Sequence, residues 1–185
     1  VHGMLNDIEG KKMSKSLGNI VSPYELIDKH GADILRYYMC QNNAGVDINF
    51  SWEEAATKAR YLQILWNVHK LLINLAKENK VNPFELKKEM MYNLMSVEEK
   101  YIISRLNSTI KRVTELFEEY RLDETIKPLE ELYLELSRTY IQMVRDKSAI
   151  GEDQEKEVVM YTMATVLLNF LKMFNIICPF ISEAI

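Results

Sequence analysis

From Ser51 onward, apolar residues return at steps of three and four. Ala55, Ala59, Leu62, Trp66, Leu72 and Leu75 form one stripe. Ile103, Leu106, Ile110, Val113, Phe117 and Tyr120 form a second, and Leu129, Leu132, Leu136, Tyr140 and Val144 a third. That period is the signature of an amphipathic α-helix. A fourth apolar helix is expected from about Glu155 to Ile177, stopping before Pro179. The start signals agree with this. "SWEE" at Ser51 and Ser96 with Glu99 both read as capping boxes, and Asp123 reads as an N-cap with Pro128 soon after it. "NKVNPFELKKE" reads as a break, and "DKSAIGEDQEKE" as a polar connection. Four such helices suffice for a bundle. Short connections favour antiparallel neighbours, and only the 82–95 connection is long enough to leave this open.

Before Ser51 the pattern is mixed. "VHGML" reads as a short strand and "NDIEG" as a turn. In "SPYELIDKHG", Ser22 is an N-cap, Pro23 takes the first helical position and Glu25 completes a capping box, while Gly31 ends this helix or starts the next. "ADILRYYMCQ" predicts a second short helix, with Ile34, Leu35, Tyr38 and Met39 on one side. "VDINF" predicts a short strand. The chain is therefore expected to be mainly α, with a small mixed region over 1–50 and a helical bundle over 51–185.

Composition narrows the class. The 185 residues are 48% hydrophobic and 27% charged, as in an ordinary globular protein. Cys40 and Cys178 are far apart without metal-ligand spacing, which points to a reducing, cytoplasmic setting with no disulfide and no metal site. No apolar run reaches the roughly 18 residues of a membrane span, so no membrane partner is expected. The opening "VHGML" and closing "PFISEAI" both look cut, as in a piece of a longer protein. A net charge of -4 gives no broad attraction to polyanions, so any such binding must be local.

One segment supplies local charge. "GKKMSKSLGN", Gly10 to Asn19, carries three lysines and two serines and no acid. Ammonium groups with serine hydroxyls and backbone N–H donors suit a polyanion with dispersed charge, such as a triphosphate. Donors placed where charge builds in a transition state often give the largest catalytic contribution. The competing reading is a solvated basic turn. The spacing is not that of the glycine-rich phosphate loop ending in lysine and a hydroxyl residue.

"KMSKS", Lys12 to Ser16, resembles the second signature of class I aminoacyl-tRNA synthetases. The longer run "GKKMSKSLGNIVSPYELIDKHGADILRYYM" is similar to the branched-chain subgroup, through Gly18, Asn19, Pro23, Gly31, Ala32, Asp33 and Arg36. The resemblance continues through "FSWEE", "LWNVHKLL" and "LSRTYIQMVRDK" to "ICPFISEAI", where Cys178 stands for the family's alanine. "LSRTYIQMVRDK" and "LWNVHK" are most similar to isoleucyl enzymes, with valyl and leucyl enzymes as alternatives. A helical RNA-binding module without catalytic ancestry is the other reading that the stripes permit.

The resemblance implies a fold and a division of labour. Residues 1–50 would hold the end of the catalytic domain, with its lysine loop, and a stem-contact region. Residues 51–185 would be an antiparallel helical anticodon-binding domain. In the family the loop closes over ATP, taken with Mg2+, while the amino acid carboxylate joins the α-phosphate and pyrophosphate leaves. The aminoacyl group then passes to tRNA, here tRNA(Ile). Lys12 and Lys15 would be catalytic. Met13, Ser14 and Ser16 would complete the ATP site, with Met13 anchoring the loop. Lys11 lies outside the signature. The family's histidine-rich first signature is not formed by His2, His30 or His69, and the amino acid pocket is missing. The chain by itself is therefore expected to be inactive and to hold no cofactor.

The tRNA contacts are weighed against helix packing. Asn67 lies beside Trp66, which is expected in the core. Four residues on from Asn67, where a relative places arginine, this chain has Leu71, and Lys70 would substitute. Arg138, Arg145 and Lys147 are expected to make a basic strip, Arg138 and Arg145 sharing a face through their seven-residue spacing. Stacking and arginine contacts commonly read splayed RNA bases. The structural alternative is pairing of Arg138 with Glu131 or Glu135 on the same helix.

Overall fold

The computed structural model describes residues 3–43 and 45–185, so Val1 and His2 of the expected first strand lie outside the described residues. The chain forms β1 (Leu5–Asn6), α1 (Pro23–His30), α2 (Ala32–Cys40), β2 (Ile48–Asn49), α3 (Trp52–Asn79), α4 (Lys88–Leu94) and α5 (Val97–Glu118). It continues with α6 (Ile126–Glu135), α7 (Ile141–Met143), α8 (Arg145–Ile150), α9 (Asp153–Phe174) and α10 (Pro179–Ala184). β1 and β2 pair in parallel, Leu5 opposite Ile48. Both strands are shorter than expected.

The mainly α architecture is as expected, and the bundle is antiparallel between successive long helices. Glu99 of α5 meets Lys147 of α8, while Arg105 of α5 meets Glu135 of α6, so α5 runs against the α6–α8 line. Lys58 of α3 meets Glu130, and Arg138 lies over the Tyr61 ring, so α3 runs along that line. The third stripe is buried as expected: Leu129, Leu132, Leu136, Tyr140 and Val144 are all in the core. It is not one α-helix, however. Leu136–Tyr140 forms a π turn between α6 and α7. Such bulges shift the register by inserting about one extra residue.

Several local expectations change. The Ser96 and Glu99 capping box closes as predicted. Those at Ser22 and Ser51 do not. Ser22 Oγ accepts from the Tyr24 N–H. Ser51 Oγ accepts from the Glu54 N–H, but the Ser51 N–H donates to Tyr38 Oη at 3.0 Å rather than to Glu54. A tertiary partner has replaced a local one. Asp123 is not an N-cap but part of a 3-10 turn, Leu122–Thr125. The "NKVNPFELKKE" break contains the start of α4, and the supposed connection "DKSAIGEDQEKE" holds most of α8 and the start of α9. On α2, Tyr37 faces the core and Met39 is exposed. Tyr120 takes a left-handed backbone (φ 58°) and is exposed, so the second stripe ends before it. Trp66 is only half-buried, packed against His69, while Leu65 and Val68 carry the α3 stripe inward.

α9 corrects the membrane argument. An 18-residue window in it has a mean hydropathy of 1.3, apolar enough to cross a bilayer by length and composition. Its apolar side chains instead fill the core: Val159, Val166, Phe170 and Phe174 are fully enclosed. A helix that is apolar on most sides is buried, whether in a protein or a bilayer, and here the surrounding helices cover it.

The core is continuous across residue 50. Tyr37 of α2 packs edge-on against Phe174 of α9 and shares a hydroxyl–hydroxyl bond of 3.1 Å with Tyr133 of α6. Two runs far apart in sequence also meet. Both carboxylate oxygens of Asp33 accept backbone N–H bonds from α10, from Phe180 at 3.3 Å and Ile181 at 2.7 Å. Arg36 donates to the carbonyls of Ile177 and Ile176, each at 2.8 Å. The Cys178 thiol donates to the Asp33 carbonyl. Burial first, then the Asp33 charge, pushes that thiol up, so it stays protonated.

Candidate functional site

The lysine loop is shaped mainly by hydrogen bonds, with Met13 packed against the core. Asp7 sits at its base. The Asp7 carboxylate accepts from the Lys11 N–H at 2.8 Å, the Glu9 N–H at 3.1 Å and Asn19 Nδ2 at 2.8 Å. The Asn19 amide and then the Lys11 N–H hold the Asp7 carboxyl below the ordinary 3.8. Asn19 ties the two limbs together, since its Oδ1 accepts from the Ser14 N–H at 2.9 Å and its Nδ2 also reaches the Lys12 carbonyl. Ser14 caps a 3-10 turn, Lys15–Leu17, and its Oγ lies 3.1 Å from Ser16 Oγ. Gly18 ends that turn with φ 66°, a left-handed conformation that favours glycine.

This frame sorts the lysines. Lys11 pairs with Glu9 at 2.7 Å on the surface. Lys12 and Lys15 are exposed, and among the described residues neither lies within ion-pair distance of a carboxylate. Met13 is half-buried against the core, beside a cavity shared with Val21, Phe50 and Trp52. The loop thus offers two free ammonium groups and two adjacent hydroxyls from a hydrogen-bonded base. Asp7 and Asn19, which hold that base, were missed as site residues. Asn19 had a signal in the G-N run, but Asp7 looked like ordinary turn chemistry.

The helical candidates separate. Asn67 and Lys70 are exposed on α3, and Asn67 Oδ1 accepts from Gln63 Nε2. Arg138 is exposed in the π turn, its guanidinium 5.9 Å from the Tyr61 ring centre. The alternative, pairing of Arg138 with Glu131 or Glu135, does not form among the described residues, and Glu135 instead accepts from Arg105 at 2.6 Å and from Tyr101. Arg145 is exposed at the start of α8. The π turn and the break at Val144 interrupt the helix between Arg138 and Arg145, so the seven-residue spacing alone does not set their faces. Lys147 leaves the expected strip altogether. Its ammonium lies 2.9 Å from both oxygens of the fully buried Glu99 and 3.1 Å from Ser96 Oγ. Among the described residues, no group of three His, Cys, Asp or Glu side chains is placed to hold a metal ion.

Comparison with known proteins gives the class first. Residues 1–51 match the family described as "tRNA synthetases class I (I, L, M and V)", and residues 99–185 match "Anticodon-binding domain of tRNA ligase". The chain belongs to the class I tRNA synthetases. Its curated relatives include the isoleucine–tRNA ligase of Methanopyrus kandleri, 35% identical over 188 residues, covering 100% of this chain and 17% of that protein. That of Methanothrix thermoacetophila is 37% identical over 190 residues, covering 100% of this chain and 18% of that protein. The chain thus spans less than a fifth of the length of these relatives. Two solved structures share the fold. Mycobacterium tuberculosis methionyl-tRNA synthetase in complex with methionyl-adenylate aligns at TM-score 0.79 and 19% identity, over 100% of this chain and 36% of that one. The ternary complex of an Agrobacterium radiobacter LeuRS with tRNA and LeuAMS aligns at TM-score 0.73 and 21% identity, over 99% and 21%.

Proposed function

We propose that the chain is the part of an isoleucine–tRNA ligase that supplies the ATP-phosphate loop and the tRNA-binding bundle. In this reading an isoleucine carboxylate oxygen attacks the α-phosphorus of ATP and pyrophosphate leaves. Lys12 and Lys15 stabilise the charge that builds on the departing phosphates, Lys15 more strongly. Ser14 and Ser16 offer hydroxyl donors, and Met13 anchors the loop. Mg2+ would be ligated by the phosphates of ATP. The observation that carries the reading is the pair of ammonium groups that, among the described residues, have no carboxylate partner, on a base fixed by Asp7 and Asn19. Electrostatic preorganisation of this kind avoids reorganisation during the reaction.

The tRNA would meet Asn67, Lys70, Arg138 and Arg145. α3 runs beside the α6–α8 line, with Lys58 opposite Glu130 and Tyr61 opposite Arg138. The names of the relatives support isoleucine as the amino acid and tRNA(Ile) as the acceptor. Aminoacylation by the longer protein that contains this chain tests the proposal. Isoleucine should be charged onto tRNA(Ile) with ATP consumed. Charging of valine or leucine onto their own tRNAs instead would replace the specificity. No charging of any of the three would overturn the function.

A further inference from the structure

A second cavity lies where α1, α2, α3 and α10 meet, apart from the lysine loop. Its volume is about 570 Å³, within the range of sites for small ligands. Trp66 and the exposed Phe180 supply aromatic walls, and Lys29 and His30 line one end. His30 Nε2 is buried with no hydrogen-bond partner among the described residues. Such orphaned polar atoms are rare and call for a partner. Lys29 lies 4.9 Å from the Trp52 ring centre and has no carboxylate partner among the described residues. Asp33 also lines the cavity, but both its oxygens are taken by backbone N–H groups of α10. The cavity also borders the Asn67 face, because its lining residue Gln63 donates to Asn67 Oδ1 at 3.1 Å.

We infer that this cavity receives an unstacked nucleotide of the bound RNA. The base lies against Trp66 and Phe180, its edge meets His30 Nε2, and the phosphate meets Lys29. The inference rests on the tRNA reading above. Aromatic faces bordered by a cation are how proteins hold single-stranded nucleotides, since every base has a π-face and every link a charge.

The test is a titration of the 185-residue chain with a tRNA(Ile) transcript at low and rising salt, followed by filter retention and tryptophan fluorescence. RNA should quench the fluorescence, and the larger part of the quench should be lost in Trp66→Phe while retention persists, Trp52 beside Lys29 keeping the remainder. Phe180→Ala should weaken retention about five- to tenfold. Lys29→Gln should lower the log–log salt slope by about one. Ile150→Ala, an exposed apolar residue on α8, should change neither. Unaltered Tm values would show that the variants fold. If the parent binds while Phe180→Ala and Lys29→Gln bind identically with the same slope, the cavity is not a nucleotide site. If the parent retains no RNA at all, both the tRNA reading and the cavity proposal fall.

Discussion

The lysine loop and the helical bundle are held by different forces. The loop has no fully buried side chain between Gly10 and Ile20, and its shape rests on Asp7, Asn19 and Ser14. The bundle rests on a core that runs from Tyr37 through Tyr133 to Phe174. A net hydrogen bond contributes about 0.5–1.5 kcal/mol, whereas a buried aromatic side chain contributes several. Changes in the loop should therefore alter chemistry at nearly constant stability, and changes in the core should do the reverse.

The largest effect should come from Tyr37→Ala. It removes a fully enclosed ring from the contact with Phe174, and a loss of about 3–5 kcal/mol is expected in denaturant unfolding. By the same logic, residues 51–185 produced alone, cut off from α2, should melt far below residues 22–185. Equal melting temperatures would put the core boundary at residue 50 after all.

Next comes the buried ion pair of Lys58 and Glu130, where Lys58 also lies 4.6 Å from the Tyr37 ring centre. Lys58→Met alone should cost about 3–5 kcal/mol because it strands Glu130. Adding Glu130→Leu should recover much of that loss. A double-mutant cycle by chemical unfolding measures the coupling. Burial, reinforced by the neighbouring Tyr133 and Glu130, pushes the Tyr37 hydroxyl up, so this cluster should not titrate through it at neutral pH.

The loop should show small effects on stability. Asn19→Ala leaves the Ser14 N–H and Asp7 without their partner and should speed amide exchange at Ser14 while Tm stays nearly constant. The pH response follows from Asp7. Its folded value lies below the unfolded 3.8, so its contribution is fully present above pH 3.8 and is lost as pH falls through the lowered value. Protection of the Lys11 amide should therefore survive to below pH 3.8, and Asp7→Asn should abolish that dependence.

The contrast also explains what could be read in the sequence. Helical periodicity located α3, α5 and α9, and the Ser96 box closed as written, because those features are local. The π turn was invisible, since Leu136, Tyr140 and Val144 remain apolar at steps of four on either reading. Lys147 looked like part of a basic strip because its partner, Glu99, lies 48 residues away. The loop's chemistry was legible through Lys12 to Ser16, but its support was not. Asp7 acts through a fold that brings Asn19, twelve residues on, back to it.

If the loop exists for chemistry rather than stability, Lys15 acts on phosphate charge in the transition state. Pyrophosphate exchange by the longer protein carrying Lys15→Ala tests this most directly. A contact made chiefly in the transition state lowers kcat and leaves ground-state binding alone. A fall in kcat of about thirty- to a thousandfold is expected, corresponding to ~2–4 kcal/mol, with the KM for isoleucine unchanged and the melting temperature unmoved. An exchange rate equal to that of the parent protein would remove Lys15 from the mechanism.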